Sequence, residues 1–256
     1  MLHTAHFGAG LLSYVGRHRR LRCGVKLMDM DWHPYAKRLA DQVAHLGSRW
    51  HAPIADTPRH RFVPRWWQHT GGLRDLRTGP EDAEAWLNAA CADRTLVTRI
   101  GDLHADHAVP GDHPAGRPTS SSTLPGLLLQ MYRHARIGDG HQVLDVGTGT
   151  GYGTALLCAR LGDGQVTSVD VDDYLTSVAA ERLAAIGYKP RIHAVDATGP
   201  LPGEYDRVVA TVSVKPIPPS WLALHHGSLP LYGARVRITP DGVIHLRRGR
   251  WKATIG

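Results

Sequence analysis

The chain has few cysteines, no long apolar run and no acid near its start. Three cysteines, Cys23, Cys91 and Cys158, are scattered through 256 residues with no paired spacing. That argues against a disulfide framework and against a zinc site, and it fits a reducing cytoplasm. No apolar stretch approaches the roughly 20 residues that span a bilayer, so no membrane partner is expected. The first 28 residues hold Arg17, Arg19, Arg20, Arg22 and Lys26 and no Asp or Glu. Their apolar part, Phe7 to Leu12, precedes the basic run, the reverse of a secretory signal. Two readings fit this leader, an organellar transit segment or an untranslated stretch before a start at Met28 or Met30, and we favour the second. Residues 1–29 are therefore read as a basic, disordered extension. The formal net charge of +7 sits largely at the two ends, since Arg237, Arg247, Arg248, Arg250 and Lys252 face only Asp241. A nucleic-acid footprint lies across a folded face, so no nucleic-acid partner is expected.

What the chain does have is the stretch Val143-Leu144-Asp145-Val146-Gly147-Thr148-Gly149-Thr150-Gly151-Tyr152-Gly153. Val143, Leu144 and Val146 suit a buried parallel strand. Glycines at alternate positions let the backbone turn sharply and a ligand approach closely. The residues from Thr154 to Leu161 continue as a helix. A dinucleotide fingerprint, G-x-G-x-x-G, needs glycine at position 152, where Tyr152 stands. Asp145 precedes the glycines, giving D-x-G-x-G-x-G, the pattern of S-adenosylmethionine (AdoMet) sites. AdoMet has no pyrophosphate to cradle, and a carboxylate beside the loop suits its sulfonium charge. The candidate cofactor residues are thus Asp145, Gly147, Thr148, Gly149, Thr150, Gly151 and Tyr152.

Downstream the pattern is β-α-β-α-β. Gln165 to Val169 reads as a strand ending at Asp170, Leu175 to Ile186 as a helix, and Arg191 to Val195 as a strand ending at Asp196. Tyr205 to Val212 is a fourth strand. This alternation predicts an α/β, Rossmann-like, doubly wound and mainly parallel sheet. Asp170, with Val171 beside it, is placed to accept the ribose hydroxyls. Asp196, with Ala197, is placed to meet the adenine amino group.

Upstream, Trp32 to Leu46 reads as an amphipathic helix ended by Gly47, with Tyr35, Leu39, Val43 and Leu46 on one face. Glu81 to Ala92 is a short helix and Thr95 to Ile100 a strand. His104-Ala105-Asp106-His107 lacks a second cluster at metal-site spacing, and no metal is assigned. The hydroxyl-rich run Ser120 to Thr123 reads as a flexible linker or a helix N-cap, directly before a helix through Leu127 to Tyr132. As a loop at a helix start it suits a carboxylate. The domain reading is an N-terminal helical cap over residues 30–115 and an AdoMet-binding methyltransferase domain over 116–256, with an abbreviated C-terminal end. Val236 to Thr239, Pro240-Asp241-Gly242 and Val243 to Leu246 read as a closing hairpin.

These segments, in this order, resemble the protein-L-isoaspartate O-methyltransferase family from about Asp56 to Trp221. Arg59-His60-Arg61-Phe62-Val63-Pro64 is similar to its R-x-x-F-V-P. Ser121 to Pro125 resembles its S-x-P active-site loop, and Leu144 to Ala155 its glycine loop. Tyr205-Asp206 and Ile217-Pro218-Pro219-Ser220-Trp221 match two later segments. Through Leu96 to Arg99 and Pro118 to Thr123 the closer likeness is to actinobacterial peptide-tailoring aspartate O-methyltransferases. The resemblance implies transfer of methyl from AdoMet to an aspartyl or isoaspartyl carboxylate of a protein or peptide. The ester then closes to a succinimide. Thr123 takes the place of the family's active-site serine, with Ser121 and Ser122 as further candidates, in a monomeric cytoplasmic enzyme. Two other readings stay open: an AdoMet methyltransferase for another acceptor, and a truncated, non-catalytic AdoMet- or peptide-binding relative. His225-His226-Gly227-Ser228 stands where the family has a P-G-G-R turn.

Overall fold

The computed structural model describes residues 30–201, 203–213, 217, 218 and 221, and four strands between Ser228 and Ile255. The basic leader, Pro219-Ser220, residues 225–227 and residues 239–243 lie outside the described residues.

The chain opens with α1 (His33–Val43), α2 (His51–Ala55) and α3 (Arg59–Phe62). Helix α1 stops at Val43 rather than reaching Leu46, which is 73% exposed. The reason is local. Ala44 turns extended while its N–H still reaches Ala40, and His45 Nδ1 then accepts from Gly47 N in a tight turn. Next come β1 (Arg65–Thr70), β2 (Leu73–Thr78), α4 (Ala83–Ala90), β3 (Leu96–Ile100), β4 (Leu103–His104) and β5 (Pro118–Ser122). They build an antiparallel sheet in the order β2-β1-β3-β4, with β5 also paired to β3. The expected cap was helical, and this sheet corrects it. The β1–β2 hairpin turns through Gly71 and Gly72, both at positive φ, the conformation a two-residue hairpin loop demands.

The second layer begins with α5 (Pro125–His134), then β6 (Val143–Val146), α6 (Tyr152–Leu161), β7 (Val166–Asp170), α7 (Asp173–Ala184), β8 (Arg191–Ala194) and β9 (Arg207–Ala210). The four strands are all parallel, in the order β8-β7-β6-β9. Every residue of β6 is buried, as a central parallel strand requires. Helix α6 buries Tyr152 and Thr154 to Cys158, because α1, α2 and α5 close over it in one continuous apolar cluster. Such a helix, apolar on most faces, belongs inside a protein.

The strands β10 (Ser228–Leu231), β11 (Ala234–Ile238), β12 (Ile244–Arg248) and β13 (Trp251–Ile255) form a separate antiparallel sheet. The expected hairpin corresponds to β11 and β12, which pair Val236 with Leu246, and two further strands flank it. Among the described residues no helix is long and apolar enough to cross a membrane.

Candidate active site

Strand β6 delivers the chain to its carboxyl edge, where Gly147 N and Thr148 N both donate to Val169 O at 2.8 and 3.2 Å. Gly147 has φ +100, and a Cβ there would lie 2.6 Å from Val212 Cγ1 and 2.8 Å from Thr211 Oγ1. Gly151, at φ +88, starts α6, and a Cβ there would press on Ala179 at 3.0 Å. Only glycine fits at these two corners. Gly149 differs: its added Cβ would meet only Ser121 O at 3.7 Å and Gly147 O at 3.9 Å, ordinary contact distances, so the loop is less crowded here.

Asp145 is the loop's acid, and it is 1% exposed within β6. Its Oδ2 accepts from Thr154 Oγ1 at 2.7 Å and Ser168 Oγ at 3.1 Å, whereas Oδ1 is buried with no partner. Burial pushes its pKa up to about 6 against those two hydrogen bonds, and nearby Asp170 adds to the rise. Thr148 Oγ1 and Ser168 Oγ are 2.7 Å apart, so the loop's own threonine joins the same buried network. Sequence reasoning missed Thr154 and Ser168. A serine at the centre of the buried strand β7, between Thr167 and Val169, was the available signal.

The hydroxyl run is neither a linker nor a cap. Ser120 to Ser122 lie in β5, paired across to Leu96, Val97 and Arg99 of β3. The N-cap of α5 is Leu124, which makes no side-chain cap. Its duties pass to Asp93, whose Oδ1 accepts from Gly126 N at 2.7 Å, and to Thr95, whose Oγ1 accepts from Leu124 N at 3.3 Å. The physical reason is that Pro125 already fills the first helical turn, and strand pairing takes up the backbone of the serines.

Arg59 holds this strand from inside. It is 1% exposed and donates to Ala90 O, Ala92 O and Arg94 O, to Ser122 O and Thr123 O, and to Ser122 Oγ. Its guanidinium carbon lies 5.2 Å from the centre of the Tyr152 ring. No carboxylate bonds to it among the described residues. Burial lowers its pKa, with Tyr152, Cys91 and Asp93 acting the other way. Six acceptors around one buried cation make a rigid knot, since each unmade bond would leave a desolvated polar group. Arg59 stood in the R-x-x-F-V-P segment, but its partners are 31 to 64 residues away in sequence.

A narrow cavity of about 20 Å³ is where the two sets of candidates meet. Ser121, Ser122 and Thr123 form one wall, and Asp145, the loop from Gly147 to Thr150 and Tyr152 form the other. Ser122 Oγ is turned to Arg59, whereas the hydroxyls of Ser121 and Thr123 have no hydrogen-bond partner among the described residues. Gly151, Asp170, Val171, Asp196 and Ala197 lie outside this cavity. Asp170 is nonetheless joined to it, because its Oδ2 accepts from Gly149 N at 2.9 Å. Val171 is 73% exposed. Asp196 is exposed at the end of β8, and its Oδ1 accepts from the Thr198 N–H and hydroxyl, which hold its pKa low. Ala197 O accepts from Trp221 Nε1 at 2.6 Å.

The antiparallel sheet is fastened to α7 by two arginines. Arg99 pairs with Asp172, the N-cap of α7. Arg182 of α7 bonds Asp106 Oδ2 at 2.6 Å, which also accepts from Tyr174 OH at 2.9 Å. The segment His104 to His107 therefore latches two layers together.

A methyltransferase-domain family model matches residues 143–225, the glycine loop and the strands after it. A protein-L-isoaspartate O-methyltransferase of Korarchaeum cryptofilum is 33% identical over 109 residues, 38% of this chain and 49% of that one. Protein-L-isoaspartate O-methyltransferase 1 of Archaeoglobus fulgidus is 27% identical over 188 residues, 72% of this chain and 69% of its own. Both relatives are protein-L-isoaspartate O-methyltransferases, and this chain is similar to them over the glycine loop and its flanking segments. The matched stretch spans about half the length of several of the curated members, at 49% to 51%. A solved Plasmodium falciparum structure bearing the family name, in complex with S-adenosyl-L-homocysteine, shares the fold. Its TM-score is 0.53 at 11% identity, covering 89% of this chain and 95% of that one.

Proposed function

We propose that the chain is an AdoMet-dependent O-methyltransferase acting on an aspartyl or isoaspartyl carboxylate of a protein or peptide. The observation that carries this reading is the cavity in which the unpartnered hydroxyls of Ser121 and Thr123 face the glycine loop. Its small volume, about that of one water, admits only the end of a larger ligand. The uncrowded backbone at Gly149, the orphaned Asp145 Oδ1 and the exposed edge at Val171 and Asp196 suit a cationic nucleoside lying over the loop. Asp145, the Gly147–Gly151 loop and Asp170 would hold it, with Asp196 toward the base. Bound there, AdoMet supplies a methyl group on a sulfonium that is already a good leaving group.

The protein's own work is then modest in kind. An acceptor carboxylate is ionised at neutral pH and needs no general base. Thr123 and Ser121 donate hydrogen bonds that orient it. Strand β5 and the glycine loop exclude water, so that the reacting groups are held in line. Arg59 keeps β5 in place without touching the acceptor.

Labelled methyl transfer to aspartyl and isoaspartyl peptides tests this. Base-labile label is the expected product, and base-stable label would point to another acceptor. AdoMet binding by calorimetry with no transfer to any peptide would favour a binding protein.

A further inference from the structure

A groove of about 490 Å³ lies between the β1–β2 hairpin and α4. Its volume falls in the range of ligand sites. Trp66, Arg77, Glu81, Asp82, Asn88 and Arg94 are among the residues lining it. Two contacts tie it to the candidate active site. Arg94 O and Thr123 O accept from the same nitrogen, Arg59 Nη2, at 2.9 and 3.1 Å. These two backbone points therefore lie within two hydrogen-bond lengths of each other. The turn that carries Arg94 is also bonded to the start of α5, through Asp93 to Gly126 N and Thr95 to Leu124 N. The groove's Arg94 end and the hydroxyl strand are thus tied together through buried Arg59 and the start of α5.

The charges in the groove are segregated along α4, whose eight residues separate its ends by about 12 Å. Glu81 and Asp82 sit before its N-terminus, where Asp82 Oδ1 caps the helix by accepting from Ala85 N. Arg77 lies four residues before Glu81, so these carboxylates have a cation beside them in the chain. Arg94 follows the other end. It is exposed and forms no ion pair among the described residues, and its backbone is the part of the groove linked to Thr123 through Arg59.

We propose that this groove binds the segment of the acceptor peptide that flanks the methylated residue, and that Arg94 selects an acidic side chain there. An extended peptide advances about 3.3 Å per residue, so a side chain one to three residues from a carboxylate at Thr123 reaches Arg94. The proposal rests on the carboxyl-methylation reading. It adds a specificity site outside the glycine loop and the hydroxyl strand.

The test uses the full chain with S-adenosyl-L-homocysteine present and short fluorescein-labelled peptides carrying a central aspartate or isoaspartate. One set has glutamate in the flanking positions, and the other has glutamine. Anisotropy is expected to show about fivefold tighter binding of the glutamate set, the size of one partly exposed ion pair. Arg94→Gln should erase that preference and Arg94→Glu reverse it, while Glu81→Gln leaves it standing. Equal binding of both sets, no binding of either, or a preference that survives Arg94→Gln overturns the groove assignment. The two readings fail separately. Arg94-dependent binding without ester formation sinks the methyl-transfer reading alone, and ester formation with no flanking preference sinks the groove alone.

Discussion

The two halves of the candidate site are held by opposite means. The glycine-loop half is a central parallel strand with all four residues buried, flanked by parallel neighbours and covered by apolar helices. Its stability comes from apolar burial, which is non-directional and spread over many residues. The hydroxyl half is a strand of Pro, Thr and Ser residues whose position depends on directional bonds from one buried arginine. A diffuse source of stability tolerates single changes, whereas a concentrated one does not.

Substitutions should expose that difference. The largest effect is expected from Arg59→Met, which leaves buried carbonyls on two segments without donors. Urea unfolding should show a loss of about 3–5 kcal/mol, with Arg59→Lys recovering only part of it. A loss below about 1 kcal/mol would mean that the hydroxyl strand is not held by this side chain. In the other half, Gly147→Val meets Val212 and Thr211 in a left-handed backbone position. It should cost about 2–4 kcal/mol and remove AdoMet binding in calorimetry. Near wild-type affinity would show that the loop relaxes more than a packed strand end should.

Asp145 sharpens the comparison through pH. Its pKa in the folded chain, about 6, lies above the ordinary 3.8, so the folded state takes up a proton that the unfolded state has released. Its contribution to stability therefore falls as pH rises from about 4 to about 6, by up to about 3 kcal/mol. Asp145→Asn should be free of that loss. The stability difference between variant and wild type should grow over this window and stay constant above it. A difference that does not change with pH would place the titration elsewhere. The smallest effect is expected from Thr123→Ala. It should slow methyl transfer about tenfold, near 1.4 kcal/mol of barrier, and leave AdoMet affinity unchanged. Full-rate transfer would remove Thr123 from the acceptor's contacts.

The same division explains how much was legible in the sequence. The glycine loop, β7, β9 and the alternation of strand and helix are local patterns, and the alternating glycines carry their own backbone requirement. Ser120 to Ser122 carry no such pattern. They become a strand only because β3 offers its edge, with Leu96 opposite Ser122, and a run of hydroxyls has no apolar alternation to announce this. The β1–β2 hairpin did leave a local signal, Gly71-Gly72, whose positive φ values the turn requires. Arg59 was visible as part of a motif, yet its work is set by partners brought together only by folding.

The position of β5 has a consequence for recombining relatives. The strand precedes the methyltransferase helices in sequence, but it is laid down as part of the antiparallel sheet and tied by Arg59 to the Ala90–Arg94 turn. A chimera that exchanges acceptor preference must therefore carry Arg59 to Thr123 as a single transplant. A seam placed within that stretch would separate the cation from the carbonyls it serves, whereas a seam at Leu124 would keep that set whole and leave the contacts of Asp93, Thr95, Arg99 and Asp106 with the later helices to be matched across the junction.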